Sequence, residues 1–346
     1  MKLPQPDLHH ILEKTTSLWG DIRGARLFIT GGTGFFGTWL LESFLYANNI
    51  LDLKASASIL TRQPESFRAN FPHLTKDPAI RLIPGDVRYF DLPQEQYTHI
   101  IHAATEASAI LNAENPLLML DTIVEGTRRV LEFAIQSQAQ RLLFTSSGAV
   151  YGKQPGTISH IPEEYNGAPD PLDPSSAYAT GKRTAEHLCA LFAKQYGLNV
   201  TIARCFAFVG PRLPLNAHFA IGNFIRDALN DNPIIIKGDG TPYRSYLYAA
   251  DLAIWLWTIL LRGEANRSYN VGSETALTIA ETARLTAQCT NSRYPVIIQK
   301  ENTPGKIPEQ YVPAIQRAKI ELGLQTWVKL EDGIKRTYEF SKATQS

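Results

Sequence analysis

The feature that most constrains the fold is a glycine-rich stretch between a strand-like segment and a helical pattern. Residues 26–30 form an apolar run, and residues 38–46 carry apolar side chains at helical intervals. Between them, Gly31, Gly34 and Gly37 allow the positive φ angles and close backbone approach of a tight strand-to-helix turn. The first N–H groups of such a helix point toward an anion. We interpret the stretch as a cradle for the pyrophosphate of a dinucleotide.

The context of this stretch gives the signal its specificity. The G-x-x-G-x-x-G spacing is one residue looser than the G-x-G-x-x-G fingerprint, and either pattern alone is weak. An ordinary glycine turn in an α/β protein is the alternative interpretation. The predicted strand before the turn and the predicted helix after it favour a cofactor site, whose residues are then Gly31, Thr33, Gly34, Phe35, Phe36 and Gly37.

The composition excludes several classes of partner. With 346 residues the chain can form one large or two interleaved domains, and its net charge of +1 gives no electrostatic reason to expect nucleic acid or an acidic membrane surface. The 3 cysteines lie far apart, with no C-x-x-C pair or histidine cluster, so we expect reduced thiols, a cytoplasmic location and no metal site. The longest uncharged apolar run, 252–261, is about half of the ~20 residues that a membrane span requires. Neither a secretory signal nor a membrane span is expected.

Strand and helix patterns alternate through the first half of the chain. Candidate strands at 55–61, 80–84, 99–103 and 141–145 are separated by helical segments, of which 116–138 is the longest. This order predicts a parallel sheet with helices on both faces, and ligands then collect beyond the carboxyl ends of the strands. The residues expected to border that cofactor groove are Asp86, Val87, Ala103, Ala104 and Thr105.

Two polar residues on these strands receive different interpretations. Arg62 ends the second predicted strand, where an acidic residue would accept hydrogen bonds from the adenosine ribose. An arginine there can pair with a 2′-phosphate, so the sequence favours NADP over NAD, although Arg62 stacked on adenine or facing solvent is the alternative. His102 lies inside an apolar strand and is interpreted as a packed, hydrogen-bonded core residue, not as a catalyst.

The second chemical feature is the pair Tyr178 and Lys182, near the start of a predicted helix that continues to about Tyr196. Residues four apart share one helix face, so the phenol and the ammonium group can point into the same cleft. A free tyrosine has a pKa near ~10, and a neighbouring cation lowers that pKa by favouring the phenolate. Ser147, at the end of a predicted strand, could hydrogen-bond the same substrate hydroxyl. Together these residues predict acid/base chemistry coupled to hydride transfer with a nicotinamide.

These motifs resemble those of the extended short-chain dehydrogenase/reductases (extended SDR), in particular the NAD-dependent epimerase/dehydratase family, whose members act on nucleotide-activated sugars. The resemblance is carried by 30–37, 147–152, the Tyr178 and Lys182 pair, and 238–248, and it covers nearly the whole chain. It implies an α/β fold, with a Rossmann-type doubly wound parallel sheet and a smaller α/β carboxyl-terminal substrate domain.

The same resemblance implies a division of the chain into two domains. The dinucleotide-binding Rossmann domain would comprise 1–210 plus 243–270. The nucleotide-sugar-binding domain would comprise 211–242 plus 271–346.

The resemblance also implies roles for single residues. Ser147, Tyr178 and Lys182 would be the catalytic trio, with Tyr178 acting at the sugar C4 hydroxyl or ketone, and Tyr178 and Lys182 would contact the cofactor as well. The substrate would contact Phe206, Asn223 on a predicted helix at 218–228, and Arg244. Arg244 would hold the substrate pyrophosphate, a task suited to the planar guanidinium fork.

Four positions depart from the family pattern. The 4,6-dehydratases of the family carry an acidic pair directly after the catalytic hydroxyl residue, where this chain has Gly148 and Ala149. Neither side chain can transfer a proton, so dehydration is disfavoured. Ala207 stands where the family usually has Asn, and Pro313 where it usually has an acidic residue, which affects the expected nicotinamide and substrate contacts.

Two reactions and one binding function remain open. An NAD(P)-dependent epimerase would oxidise C4 and return the hydride to the other face, whereas a 4-ketoreductase would consume NADPH. Arg62 favours the reductase, and the extent of the resemblance places the epimerase first. A non-catalytic NAD(P)-binding redox sensor is the third hypothesis, and the presence of Ser147, Tyr178 and Lys182 is evidence against it. By the same resemblance, helices 116–138 and 177–196 would form a four-helix interface in a homodimer.

Overall fold

The computed structural model describes residues 1–105, 109–217, 219–305 and 307–345. The strands are β1 (Arg26–Thr30), β2 (Ser56–Thr61), β3 (Ile80–Pro84), β4 (His99–His102), β5 (Arg141–Ser147), β6 (Val200–Cys205), β7 (Phe208–Val209), β8 (Ile234–Ile236), β9 (Tyr243–Arg244), β10 (Leu247–Tyr248), β11 (Arg267–Val271), β12 (Leu277–Thr278), β13 (Val296–Ile298) and β14 (Gln310–Tyr311).

The helices are α1 (Gln5–Thr15), α2 (Phe35–Ile50), α3 (Pro64–Asn70), α4 (Pro72–Thr75), α5 (Ala109–Glu114), α6 (Pro116–Gln136), α7 (Ala177–Tyr196), α8 (Ala220–Leu229), α9 (Ala249–Arg262), α10 (Ile279–Cys289), α11 (Gln316–Leu322) and α12 (Leu330–Gln345). Short 3₁₀ turns occur at Trp19–Ile22, Gly148–Tyr151 and Pro174–Ser176. Across the described ranges, none of these helices combines the length and the apolar character needed to cross a bilayer.

A seven-stranded sheet in the order β11-β6-β5-β4-β1-β2-β3 dominates the chain. The β1–β2, β2–β3, β1–β4 and β4–β5 pairs are parallel. The strand order reverses between β1 and β4, and ligands of open α/β sheets bind beyond the carboxyl ends of the strands at such a point. The predicted α/β class with a doubly wound parallel sheet is confirmed.

The chain divides into two compact units. The first comprises 1–150, 169–204 and 253–269, and the second comprises 151–168, 205–252 and 270–346. Residues 151–168, 205–210, 243–252 and 270, which the sequence assigned to the dinucleotide domain, lie in the second unit. Long-range contacts hold 151–168 there, because Ile161 bridges to Pro313 and Gln154 Oε1 accepts a hydrogen bond from Val312 N at 3.0 Å. The ligand assigned to each unit stays a prediction.

The core of the first unit contains a cluster of aromatic rings. The Phe28 ring on β1 lies 4.7 Å from Phe133 of α6 and 5.6 Å from Phe90, measured between ring centroids. Burial of such rings supplies much of the stability of a core. The central strand β1 is therefore packed firmly against the core of the first unit.

The second unit contains two small β layers and a buried polar network. Strands β8 and β13 pair in parallel, and β9 lies between β12 and β14 in a separate sheet. Asn270 Nδ2 donates to Ile161 O at 2.9 Å and to Ala314 O at 3.0 Å, and its Oδ1 accepts from the Tyr151 hydroxyl at 2.7 Å. Asn270 is fully buried, so these bonds satisfy polar atoms that would otherwise destabilise the unit.

The helices and strands predicted with stated bounds are all present, with small shifts at their ends. The described stretch 85–98 between β3 and β4 contains no helix, so the expected alternation of strands and helices fails there. The helix predicted at 116–138 stops at Gln136, because Gln138 has a positive φ of 53° that ends the helical path. The strand predicted at 141–145 continues to Ser147. The helix predicted from His218 begins at Ala220, and His218 itself lies outside the described residues.

Candidate active site

The glycine turn after β1 is packed too closely to hold side chains at two of its positions. Gly31 has a φ of +72°, and a Cβ there would lie 2.3 Å from the carbonyl oxygen of Ala103. A Cβ on Gly37 would lie 2.3 Å from the Cα of Gly32. Glycine is therefore required so that α2 can begin directly against the ends of β1 and β4.

The start of α2 is open toward an anion. Its N-cap residue is Gly34, which supplies no side-chain cap, and its first turn has no acidic residue. Among the described residues outside its chain neighbours, a Cβ on Gly34 would meet Gly31 O alone, at an ordinary contact distance of 3.5 Å. Thr33 is half-buried, and Phe35 and Phe36 follow with ring centroids 5.9 Å apart. This arrangement fits a pyrophosphate at the helix N-terminus.

The ends of β1, β4 and β5 are aligned in register. Thr30 pairs with His102, and His102 pairs with Phe144, so the residues that follow them meet at one edge. The Thr30 hydroxyl accepts a hydrogen bond from Ala104 N at 3.2 Å. Three predicted groove residues, Ala103, Ala104 and Thr105, thus lie beside the glycine turn.

His102 is a core residue, as the sequence indicated. Its side chain is buried, with Nδ1 at 2.7 Å from the Thr30 hydroxyl and Nε2 at 3.1 Å from the Thr127 hydroxyl. Burial, with a smaller contribution from the charge of Lys182, lowers the pKa of His102 to about 3. The imidazole is therefore neutral at physiological pH, and it stabilises the end of β1 through its hydrogen bond to Thr30.

The ammonium group of Lys182 lies at the carboxyl ends of the same strands. Its Nζ donates to Thr145 O at 2.7 Å and to the Thr105 hydroxyl at 3.1 Å. The ammonium lies 4.8 Å from the centroid of the Phe144 ring and 6.0 Å from that of the Tyr178 ring. With the Lys182 side chain buried, its charge acts in a medium of low dielectric, where it strongly favours a nearby phenolate.

Tyr178 is half-buried in the first turn of α7, one turn before Lys182. The structure brings the two predicted members of the acid/base pair together. Further along α7, Glu186 forms a two-pronged ion pair with Arg204 of β6, with a closest distance of 2.7 Å between Oε2 and Nη2. This pair attaches the helix to the sheet and supports the orientation of its first turns.

Ser147 ends β5, two positions after the carbonyl that binds Lys182. The side chain is buried, and its Oγ accepts a hydrogen bond from Ala149 N at 3.2 Å. Gly148 and Ala149 begin the 3₁₀ turn that follows. Ser147 is thus a hydroxyl at the same sheet edge as Lys182, without an acidic side chain directly after it.

Asp86 and its neighbours form the far side of the predicted groove. The Arg88 side chain bonds both Asp86 oxygens, at 2.9 Å from Nε and 3.1 Å from Nη2, and this contact lowers the pKa of the Asp86 carboxyl. The charge of Arg62 lowers that pKa further. Val87 is buried, with Cγ1 2.8 Å from the position of a Cβ on Gly126. Arg62 is exposed at the end of β2.

In the second unit, two of the three predicted substrate residues belong to one cluster. The Phe206 ring lies 4.7 Å from that of Tyr311, and the Arg244 guanidinium lies 5.9 Å from the same Tyr311 ring. Asn223 on α8 instead accepts a hydrogen bond from Arg226 Nη1 at 3.0 Å. Tyr311 was not expected from the sequence, because it joins the cluster through the β9–β14 pairing between distant segments.

Sequence reasoning also missed three contributors in the first unit. Thr145 acts through its carbonyl group, which carries no residue-specific signal. Phe144 supports Lys182 through its ring. Asn112 on α5 accepts a hydrogen bond from Tyr178 N at 2.9 Å, across 66 positions of sequence.

A family model places the chain among known proteins. The model for the NAD dependent epimerase/dehydratase family matches residues 27–272, a range that includes the glycine turn, Ser147, Tyr178 and Lys182.

Relatives and solved structures agree with that match. UDP-glucuronic acid decarboxylase 3 of Arabidopsis thaliana is 32% identical over 309 residues, which are 89% of this chain and 86% of the relative. DesIV, a dTDP-glucose 4,6-dehydratase from Streptomyces venezuelae solved with NAD, is 25% identical with a TM-score of 0.77, covering 92% of this chain and 98% of its own. The UDP-glucose 4-epimerase of Thermotoga maritima, at 22% identity and a TM-score of 0.78, covers 93% of this chain and 100% of its own, and so shares the fold.

Proposed function

Because the chain belongs to the NAD-dependent epimerase/dehydratase family, we propose that it is a nucleotide-sugar epimerase that oxidises C4 transiently and regains the hydride on the other face. The observation that carries the proposal is the position of Lys182. Its Nζ is held at 2.7 Å from Thr145 O, at the sheet edge beside the glycine turn, with the Tyr178 ring 6.0 Å away.

The residues around the glycine turn fit a dinucleotide. Gly34 leaves open the space that a Cβ would fill, and the α2 N-terminus favours a diphosphate. When bound, the nicotinamide supplies the hydride acceptor and donor for C4. Arg62, with no acidic residue at the end of β2, favours a 2′-phosphate and hence NADP within this cofactor class.

The chain's own residues supply the proton chemistry. Tyr178, as the phenolate, takes the proton of the C4 hydroxyl as the alcohol is oxidised, and returns it when the ketone is reduced. Lys182 stabilises the phenolate electrostatically from its buried position. Ser147 donates a hydrogen bond to the same sugar oxygen and orients it, which lowers the entropic part of the barrier.

The groups after Ser147 support epimerisation over dehydration. Loss of water from C5 and C6 needs a proton donor and acceptor beside those carbons, and Gly148 and Ala149 offer neither. Epimerisation needs only the Tyr178 proton transfer and rotation of the ketone between two hydride transfers. We assign Arg244, Phe206 and Asn223 of the second unit to the nucleotide sugar.

A decarboxylase is the second candidate, and the relatives favour it. Oxidation at C4 of a sugar that carries a carboxylate on C5 gives a β-keto acid. As carbon dioxide leaves, the electron pair of the C5–carboxyl bond passes to the C4 oxygen as an enolate; C5 then takes a proton, and the C4 ketone regains the hydride to give the pentose. The proton chemistry at C4 would again use Tyr178 and Lys182. The relative from Arabidopsis thaliana, 32% identical, is a UDP-glucuronic acid decarboxylase.

One assay separates these hypotheses. Purified protein is incubated with NAD or NADP and UDP-glucose or UDP-glucuronic acid; sugars are separated by chromatography and reduced nicotinamide is followed by absorbance. A C4 epimer without net change in absorbance supports the epimerase, whereas a UDP-pentose with carbon dioxide indicates the decarboxylase. With a UDP-4-keto-hexose, stoichiometric consumption of NADPH would indicate the reductase. Absence of any turnover would favour the redox sensor.

The Tyr178→Phe variant tests the assigned chemistry. Removal of the phenolic oxygen should lower kcat by about 10²- to 10⁴-fold and leave cofactor affinity within about threefold of wild type, because the ring remains in place. Tyr294→Phe, an exposed tyrosine shortly before β13, is the control and should keep full activity. Equal activity of the Tyr178→Phe variant and wild type would contradict the assignment.

A homodimer through α6 and α7 is part of the same proposal. Leu191 and Tyr196 are exposed on α7, and they line an open groove of about 460 Å³ with residues of α6. Exposed apolar groups on paired helices favour burial against a second copy. Sedimentation of a monomer at micromolar concentration would contradict it.

A further inference from the structure

Helix α7 begins without a cap from its own segment. Its N-cap residue is Ser176, whose side chain makes no capping hydrogen bond. The Ser176 hydroxyl donates instead to Asp170 O at 2.6 Å and lies 3.1 Å from the Thr180 hydroxyl. The preceding 3₁₀ turn has its own cap, because Asp173 accepts from Ser175 N at 2.9 Å. The Ala177 N–H bonds Pro174 O in that turn, so the next N–H of α7, that of Tyr178, is the one that takes a partner from another element.

Asn112 provides such a partner from α5. Its Oδ1 accepts the hydrogen bond of Tyr178 N at 2.9 Å, and its Nδ2 donates to Ser175 O at 2.7 Å. One carboxamide thus bonds the backbone on both sides of the point where the helix begins. Since an N-cap side chain bonds the N–H of the second or third helical residue, Asn112 performs the capping function from another helix.

We propose that Asn112 is a positioning residue for Tyr178. The phenol lies in the turn where helices fray most readily, and its distance to Lys182 depends on that turn being formed. Lys182 is already fixed one turn further by Thr145 and Thr105. Asn112 fixes Tyr178, the other member of the pair, by accepting a hydrogen bond from the Tyr178 backbone N–H. A small displacement of Tyr178 would both weaken the electrostatic effect of Lys182 and misalign the proton transfer.

The short helix that carries Asn112 lies at the surface. None of the described side chains of α5 is buried, and Leu111 packs only partly buried against the aromatic core cluster. The two Asn112 hydrogen bonds are thus a direct connection between α5 and the acid/base pair. Loss of the carboxamide removes a local restraint on Tyr178 without opening the core.

The inference rests on the proposed role of Tyr178, so its test includes a measurement without substrate. Ultraviolet difference titration of a protein against its own Tyr178→Phe counterpart gives the pKa of the Tyr178 phenol alone. Asn112→Ala should raise that pKa relative to the wild-type protein, because the phenol spends less time near the Lys182 ammonium. In the sugar assay, Asn112→Ala should lower kcat roughly 10- to 100-fold with little change in KM or cofactor affinity.

Two further variants make the test specific. Asn115→Ala removes the side-chain cap of α6, where Asn115 Oδ1 accepts from Leu118 N at 3.2 Å, and should lower stability with an unchanged phenol pKa and kcat. Asn112→Asp keeps an acceptor for Tyr178 N but loses the donor to Ser175 O, so its kcat should lie between those of Asn112→Ala and wild type.

The outcomes separate the two proposals. An unchanged phenol pKa in Asn112→Ala, or an equal loss of kcat in Asn112→Ala and Asn115→Ala, would overturn the positioning role. A shifted phenol pKa in a protein that turns over no nucleotide sugar would support the positioning role and contradict the proposed function.

Discussion

The N-termini of α2 and α7 are built in opposite ways. The α2 N-terminus has a glycine N-cap without a side-chain cap and no acidic residue in its first turn, whereas at α7 the carboxamide of Asn112 occupies the capping position. The first arrangement reserves the positive end of a helix for an anionic ligand. In the second arrangement, a backbone N–H at the start of the helix bonds Asn112 and so holds Tyr178 in place. Two helix ends at one sheet can thus serve binding and proton transfer separately.

The difference also has a packing origin. At α2 the backbone of the turn contacts the ends of neighbouring strands, and a Cβ on Gly31 would overlap the Ala103 carbonyl. At α7 the Tyr178 N–H is bonded by a side chain from another helix, over a 2.9 Å hydrogen bond. The α2 end therefore tolerates no substitution at Gly31, whereas the α7 end should lose function before it loses stability.

The largest effect is expected from Gly31→Ala. The substitution combines a φ of +72° with a Cβ 2.3 Å from Ala103 O, so β1 and β4 would have to separate. The free energy of unfolding should fall by at least about 4 kcal/mol, and cofactor binding should be lost. Denaturant unfolding and fluorescence titration with the dinucleotide measure the two effects.

Gly24→Ala separates strain from overlap. Gly24 has a φ of +69°, and beyond its chain neighbours no atom of the described residues lies within 4 Å of its Cβ position, so a backbone cost of about 1 kcal/mol should appear. Equal losses in the two variants would mean that close packing at the α2 end is not what requires glycine.

A smaller but chemically specific effect is expected from Lys182→Met. The substitution keeps the length of the buried side chain and removes the charge between Thr145 and Tyr178. Without it, the pKa of the Tyr178 phenol should rise toward ~10, and kcat at neutral pH should fall by about 10²- to 10³-fold. A pH profile of kcat measures both, since the activity that remains should increase as the pH rises toward that pKa.

The control for this variant lies on the same helix. Lys194→Met removes an exposed lysine from the last turn of α7 and should change stability by less than about 1 kcal/mol with no shift of the profile. If both lysine variants shifted the profile alike, the charge of Lys182 would have no special role at this end of α7.

The same contrast explains which parts of the candidate site could be predicted from the sequence. The glycine turn and the Tyr178 and Lys182 pair each lie within a few consecutive residues, so spacing alone indicates their geometry. Asn112, by contrast, acts across 66 positions and belongs to a residue type that occurs in many loops. No local pattern distinguishes it from Asn115, which caps its own helix.

The second unit shows the same limit at the level of domains. Residues 151–168 follow β5 and a short 3₁₀ turn, and the resemblance assigned them to the dinucleotide-binding domain. Their partners, Val312 and Pro313, are contributed by a distant segment that carries no strand pattern of its own. Likewise, Arg244 was predicted from its motif, whereas Tyr311 beneath it depends on the pairing of β9 with β14. Patterns within one segment were predictable, and pairings between segments were not.

The smallest expected effect is the pH dependence of stability that comes from His102, which contacts the end of β1 next to α2. His102 contacts Thr30, whose hydroxyl accepts from Ala104 N, and burial lowers its pKa to about 3 from 6.5 in the unfolded chain. Above pH 6.5 the imidazole is neutral in both states and adds no pH dependence. Below it, the unfolded chain binds a proton that the folded protein does not, so stability falls as the pH falls toward 3. Between pH 7 and pH 5, His102 should account for about 2 kcal/mol of lost unfolding free energy.

His102→Gln tests this contribution by difference. The variant keeps a polar side chain between Thr30 and Thr127 and cannot titrate, so it should lose about 2 kcal/mol less than wild type between pH 7 and pH 5. Other histidines, including the buried His99, contribute equally to both proteins and cancel. Urea unfolding at the two pH values gives the result. A parallel fall in both proteins would show that acid weakens the molecule elsewhere, and that the α2 end is no more sensitive to acid than the α7 end.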